Sequence, residues 1–505
     1  MGIEKRNRYN REGSIMSIKR YIANKDNTIT NAFKDNLITR ASSSNMGASD
    51  ILEVFSIYGQ ASTSSLEKAR VLVQFPTSEI STDRTNSTIP ASGSVNFVLK
   101  MSNAEHSSTT PENFILSVHV ITSASWDEGY GIDMETYKNT GASNWVSSST
   151  GNAWNTEGAD YLTSSYAKHV SFGKGTENLE VDISDIVEDW LDSSIPNYGL
   201  LVKLSGSNED GSLEKSFYTK RFFARSSHHF FKRPNIEARW DGSTQDDRNN
   251  IIRSSSLAPA ADNLNNIYLY NKVRGNLRDI PSTGSHLLVQ LYPSIGSGVS
   301  AVTLPADNTN VKAGAPTHIT ASRQDTGIYK ATFSCDNTGS TFYDVWQKST
   351  GNGGSRTYTA LMTGSGFTLE SDTSKFYSEV SEYVVNITNL KPSYNKEEVA
   401  KFRINTRNKS WQPNIYTVAK NSAPVDNIRE GYYKIKRHAD DYVAIPYSTG
   451  SSPSYSKLSY DVSGSFFDLD MSILEPNYLY EISFLRKDND EYVEQKEKFK
   501  FRVDS

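Results

Sequence analysis

The sequence predicts an all-β, multidomain chain of successive β-sandwiches. Three observations carry that expectation. At 505 residues the chain is too long for one ordinary core, and about three domains are the natural division. Its apolar residues recur as short runs and period-two alternations between Ser-, Thr-, Asn- and Gly-rich stretches, the pattern of short strands joined by polar turns. Bulky aromatic groups (28 Tyr, 21 Phe and 7 Trp) are spread along the whole length, so a packed core is expected although hydrophobic content is only 36%.

The elements follow in order. Residues 1–44 read as an N-terminal extension or docking arm with a first strand, carried by Tyr21-Ile22-Ala23 and Thr28-Ile29-Thr30. Met16-Ser17-Ile18-Lys19-Arg20 reads as a second start, which makes residues 1–15 an expected upstream extension. The first sandwich is expected over 45–241. Its strands begin with the alternation Asp50-Ile51-Leu52-Glu53-Val54-Phe55-Ser56-Ile57-Tyr58 and continue near 70–76, 94–101 and 113–122. Residues 123–165 are polar and contain Trp126, Trp145 and Trp154; loops of this length are uncommon in compact domains and usually functional. Over 179–191 the spacing turns helical, with Leu179, Ile183, Ile186, Val187 and Trp190 on one face and Asp182 or Ser184 as cap. Strands near 198–205, 216–225 and 234–240 close the block, and the polar stretch 242–262 reads as a linker. A second sandwich is expected over 263–390, with strands at 267–270, 286–291, 327–333 and 341–346. A third is expected over 391–505, with strands at 400–404, 430–435, 466–470, 478–484 and 499–503.

Charge and cysteine usage narrow the function. A net charge of −5 gives no global basic field for nucleic acid. The single cysteine, Cys335, rules out an intrachain disulfide and thiolate clusters for zinc or iron–sulfur centres, and fits folding in a reducing cytoplasm. No apolar run is long enough for a membrane span. No nucleophile elbow, phosphate-binding loop or zinc-protease pattern is present, so no catalytic residue, metal ligand or cofactor is assigned and the chain is expected not to be an enzyme.

Several features are weighed for binding. An exposed indole stacks on the apolar face of a sugar, so Trp126, Trp145 and Trp154 are candidate glycan contacts; burial in the sandwich is the competing and favoured reading. Asp127, Glu128, Asp133 and Glu135 are candidate calcium ligands without a calcium-loop pattern, which favours a solvated loop. The carboxylates Asp182, Asp185, Glu188, Asp189 and Asp192 read as an exposed acidic helix face. His228 and His229 sit in the most basic, aromatic window, 225–233, which suits an acidic partner; adjacent strand residues point to opposite faces and make poor joint metal ligands.

Motif order supplies a resemblance. Asn45-x-Gly47, Leu72 to Phe75, Trp126-x-x-Gly129, the acidic helix ending at Trp190, Asn197-x-Gly199-Leu200 and Arg233-Pro234-x-Ile236 together resemble the DNRLRE family of bacterial surface and carbohydrate-associated β-domains. That resemblance implies the jelly-roll-like first sandwich. Asp325-Thr326-Gly327-Ile328-Tyr329-Lys330-Ala331 resembles the tyrosine corner of immunoglobulin-like sandwiches, with Ala331 where antibody domains place a cysteine, and implies that two immunoglobulin-like β-sandwiches follow the first. The whole chain, above all Met16 to Phe75, resembles structural proteins of contractile-tailed, cyanophage-like bacteriophages. That implies a virion component assembled in the host cytoplasm, docked on capsid, neck or tail proteins and present in multiple copies or as a homo-oligomer. The alternative is a carbohydrate-binding adhesin or accessory module on surface polysaccharide. In either case recognition is expected in the 123–165 loop and in the arm ahead of Asn45.

Overall fold

The computed structural model describes residues 17–107, 109–122, 125–138, 141–281, 286–305, 317–339, 341–350, 357–370, 383–409, 411, 415, 427–450, 453–488 and 491–505. The chain is all-β, and its contacts divide it into two compact units, Ile18–Trp240 and Asp241–Ser505. The expected upstream extension over residues 1–15 lies outside the described residues.

The first unit is a sandwich of two antiparallel sheets. One sheet has four strands in the order β1 (Ile18–Ile22), β13 (Asn235–Arg239), β5 (Asn96–Met101) and β10 (Leu179–Asp182). The other runs β12 (Phe217–Phe223), β3 (Ile51–Tyr58), β4 (Leu66–Gln74), β11 (Leu200–Leu204), β6 (Phe114–Val120) and β9 (Lys168–Phe172), with β2 (Lys25–Thr30) beside β4. A short hairpin, β7 (Ser147–Ser149) and β8 (Asn152–Ala153), lies in the long loop. The larger sheet is covered on both faces. Leu72 pairs with Leu201, and both join the cluster under the long loop; neighbouring Val71, Val73, Leu200 and Val202 on the opposite face are fully buried. Two-sided burial explains why Arg70-Val71-Leu72-Val73 reads as a continuous run.

Two expectations change here, and one helix has no counterpart among them. Over residues 18–30 the expected first strand is present, but as part of the domain and not of an arm: β1 pairs with β13 and β2 with β4. The helix expected over 179–191 is split. Leu179–Asp182 pairs with β5, and helix α2 covers only Ser184–Leu191, with the Asp182 carboxylate accepting from Ser184 N. Helix α1 (Thr77–Thr85) has a single buried apolar residue, Ile80, and so gives no periodic signal. It is tied to α2 by the two-pronged Arg84–Glu188 ion pair.

The second unit contains two blocks. The first has a six-stranded antiparallel sheet in the order 265–270, 328–333, 319–325, 286–292, 343–350, 357–363. Its core gathers Leu287, Val289, Tyr329, Phe333, Phe342 and Trp346. Asp325 to Ala331 is not a corner between sheets. Ile319–Asp325 and Ile328–Phe333 pair directly, and Thr326-Gly327 is the hairpin turn, with Gly327 at φ +69°.

The second block has the immunoglobulin arrangement. One sheet orders 383–387, 399–408, 464–470, 459–461; the other orders 393–395, 499–504, 479–488, 431–437, 443–445, with 393–395 parallel to 499–504. Phe467 stacks between Phe402 and Tyr433, at 4.9 and 4.2 Å, to fill the core. The tyrosine corner sits here: the chain crosses sheets after 464–470, and the Tyr480 hydroxyl donates to Glu475 O at 2.8 Å.

The stretch 242–262, expected to be a linker, is partly built into the second unit. Tyr460 N donates to Thr244 O, Asp246 N donates to Tyr460 O, and Ile251-Ile252 pairs in parallel with Leu369-Glu370. Asp247 accepts from the Tyr460 hydroxyl of one block (2.7 Å) and from Asn266 N of the other (2.8 Å). Its run of charges looks solvated in sequence but is consumed by internal partners.

Candidate functional site

The three tryptophans expected as glycan contacts are buried: Trp126, Trp145 and Trp154 are only 1%, 4% and 5% exposed. They cover the outer face of the larger sheet with Ile29, Leu72, Ile121 and Leu201. Trp126 Nε1 donates to Tyr198 O at 2.9 Å, and Trp154 Nε1 donates to Asn144 O at 2.8 Å. The Trp145 ring lies 5.1 Å from the Arg70 guanidinium. A sugar platform needs an open ring face, and these indoles have none. They also seal a buried ion cluster in which Arg70 grips Glu209 at 2.7 and 3.0 Å and Lys203 reaches it at 2.8 Å. Burial opposes the Glu209 charge, but Arg70 and Lys203 outweigh it and hold the carboxyl below its usual range.

Beside this plug, Asn45 explains why the chain carries Asn-x-Gly. Its carboxamide is fully buried and uses every bonding position. Nδ2 donates to Glu128 O (2.7 Å) and Ser143 O (2.9 Å); Oδ1 accepts from Gly131 N (2.9 Å) and Gly47 N (3.2 Å). The close approach requires glycine. A Cβ on Gly47 would lie 2.0 Å from Glu128 O, and one on Gly129, at φ +84°, 2.3 Å from Asn45 Oδ1. Asn45 therefore clasps the 127–143 loop at its base.

The clasp presents exposed apolar groups. Tyr130, between Gly129 and Gly131, is 85% exposed, and Ile132 and Tyr137 are also exposed. The segment 33–44 is zipped to the same loop: Lys34 Nζ donates to Glu135 O (2.6 Å), Asp35 N to Glu135 Oε1 (2.9 Å) and Ser44 Oγ to Met134 O (2.7 Å). Its turn is braced by Asn36 Oδ1, which accepts from Ile38 N and Thr39 N. At the tip Leu37 is exposed at φ +52°, and Ile38 is 82% exposed. A bulky residue in the left-handed region costs about 1 kcal/mol against glycine, so the fold keeps an unfavourable leucine at an exposed tip. Both stretches stand out in the sequence, but these particular residues do not. Exposure of single apolar groups leaves no trace in composition.

The charged candidates serve the framework. Glu128 is gripped by Arg225, with Nε at 2.6 Å, and accepts from Asp26 N at 2.8 Å. Asp133 caps its own turn, accepting from Glu135 N, Thr136 N and Thr136 Oγ1. On α2, Glu188 pairs with Arg84, Asp185 with Lys168 and Asp189 with the Tyr166 hydroxyl, so the expected open acidic face is largely engaged. Among the described residues no group of three or more His, Cys, Asp and Glu side chains converges to hold a metal. The basic window folds on itself: the His229 ring edge meets Phe223 at 5.1 Å, and Arg233 Nε donates to Ser227 O.

Asp26 makes this framework pH-dependent. Burial pushes its carboxyl up to about 7, with Glu128 adding to the rise, against hydrogen bonding from Arg225 N. The folded value lies above the ordinary 3.8, so the associated stability is complete below that value and is lost as pH rises through about 7. Asp26→Asn is expected to gain on the parent by on the order of 2 kcal/mol between about pH 5 and pH 8, read from unfolding midpoints across pH. A gap that does not change with pH contradicts this.

No protein-family model and no curated protein matches the chain. Among solved structures, a marsupial T cell receptor is 9% identical at a TM-score of 0.16, covering 48% of this chain and 68% of that one. A chimeric titin Z1Z2 functionalized with an exogenous decorin peptide is 11% identical at a TM-score of 0.15, covering 48% of this chain and 89% of that one. Neither likeness bears on function.

Proposed function

We propose that this chain is a structural protein of a tailed-bacteriophage virion, assembled in the bacterial cytoplasm and docked on capsid, neck or tail components in multiple copies. The observation that carries the docking role is the set of exposed apolar side chains on two interlocked, internally braced loops: Leu37 and Ile38 on one, Tyr130, Ile132 and Tyr137 on the other. Rigid loops that hold aliphatic and aromatic groups in water suit a protein contact, where such groups act as anchors. The phage assignment rests on the resemblance of Met16 to Phe75 and of the tandem disulfide-free sandwiches.

The test is incorporation. Ile38→Asp and Tyr130→Ala are expected to reduce the copies of this protein in assembled particles at least about tenfold without lowering thermal stability. Leu37→Gly relieves the backbone, so stability should hold or rise by up to about 1 kcal/mol while incorporation falls. Normal incorporation of all three removes the proposal. The adhesin reading keeps one supporting observation, the exposed Tyr130 ring. It predicts that the parent binds a polysaccharide on a glycan array and that Tyr130→Ala does not.

A further inference from the structure

A second site lies between the two sheets of the first unit, on residues that the docking role does not use. Lys220 is on β12 and its side chain is fully buried. A register shift between Phe217 and Lys220 marks a bulge, the device that turns a strand side chain inward. The ammonium nitrogen lies 2.5 Å from Asn103 Oδ1, 2.7 Å from Gly175 O and 2.8 Å from Glu177 O. It sits 5.1 Å from the centroids of both Phe172 and Phe222. Asn103 follows β5 of the other sheet and is held in place by backbone bonds on either side: Phe223 N donates to Ser102 O and Ala104 N to Arg221 O. Asn103 N itself donates to Asn178 Oδ1.

A lysine amine fixed against a carboxamide inside an apolar, aromatic cage is a nucleophile beside its electrophile. We propose that Lys220 and Asn103 join spontaneously in an intramolecular amide bond that ties the two sheets together. The neutral amine attacks Asn103 Cγ, and the Nζ–Cγ bond forms. The Cγ–Nδ2 bond breaks, and one amine proton passes to the departing nitrogen, which leaves as ammonia. The overall change is amine plus carboxamide to secondary amide plus ammonia, with no oxidant or cofactor. Burial supports the neutral amine by lowering the Lys220 value to about 8. Asn103 is only half-buried, which leaves ammonia an exit. Glu177 is a carboxylate, held below its usual range by backbone N–H groups of Lys174 and Gly173 on Oε1. Its charge raises the Lys220 value against the effect of burial. Its Oε2 is buried without a hydrogen-bond partner, open to take a proton from the amine and return it to the departing nitrogen. We assign it the proton transfer.

The intact mass of the purified full-length protein decides this. The expected result is a mass below that of the sequence by one ammonia, about 17 Da, with a proteolytic fragment joining the Asn103 and Lys220 peptides. Lys220→Arg and Asn103→Ser should each restore the full sequence mass, and Glu177→Gln should slow the loss at least about tenfold. A parent at full sequence mass overturns the proposal whatever the variants do. A 17 Da loss that persists in both Lys220→Arg and Asn103→Ser also overturns it.

Discussion

Asn45→Ala is expected to cost about 3 kcal/mol or more and to release the 127–143 loop from the first unit. The substitution leaves Glu128 O and Gly131 N buried without their partner, and each orphaned group costs about 1–3 kcal/mol. Ser143 O is spared, because Asn27 Nδ2 also donates to it at 2.9 Å. Asn45→Asp should be at least as damaging: it turns a double donor toward two carbonyls into an acceptor. Hydrogen exchange at Ala48, which donates to Gly131 O, should accelerate, and on the proposed function incorporation into particles should fall although Asn45 is itself buried. Protection unchanged at Ala48 in a folded Asn45→Ala protein contradicts the clasp.

Arg248→Ala is expected to cost about 3–5 kcal/mol, the usual result of removing one member of a buried ionic group. Arg248 Nη1 donates to Asp246 Oδ2 (2.7 Å) and Tyr268 O (2.6 Å), and Nη2 donates to Asp344 Oδ2 (2.6 Å). Asp344 is fully buried and also accepts from Trp346 Nε1, so its charge has no route to water. Burial already pushes Asp246 up to about 6 against the pull of Arg248. Without the guanidinium both carboxyls are left buried without their cation. The triple variant Arg248→Met with Asp246→Asn and Asp344→Asn should recover most of the loss, because the damage is uncompensated charge and not a lost shape. Thermal unfolding of the second unit reads both variants. A loss below about 1 kcal/mol for Arg248→Ala would show that water reaches Asp246 and Asp344.

The strands with clear alternation, such as Ile51–Tyr58, are legible in the sequence, and so are the buried runs around Val71 and Val202. What the sequence hides depends on partners far along the chain. Leu179 has helical spacing with Ile183 and Ile186, yet pairing with β5 holds it extended. Asp246, Asp247 and Arg248 look like a solvated linker because nothing local reveals Tyr268, Asp344 and Tyr460. The pattern around Tyr329 predicts a tyrosine corner, but Gly327 makes a hairpin there, and the corner lies at Tyr480 behind Pro476-Asn477. At the candidate site, the motif set of residues 45–241 is visible in the sequence, and its residues are framework. Asn45 and Trp126 hold the loop; Ile38 and Tyr130, which face water, belong to no motif. Lys220 and Asn103 are 117 positions apart and give no signal at all.

On the proposed function, the braced loop tips, and not the tryptophans, make the contact that places this protein in the particle. Electron cryo-microscopy of the assembled virion reads that contact without an intermediary. Density for this chain is expected to meet a neighbouring virion protein at Leu37, Ile38 and Tyr130, with Trp126, Trp145 and Trp154 sealed inside. A particle in which those tips stand in solvent while another face of the chain carries the contact, or in which the chain is absent, contradicts it.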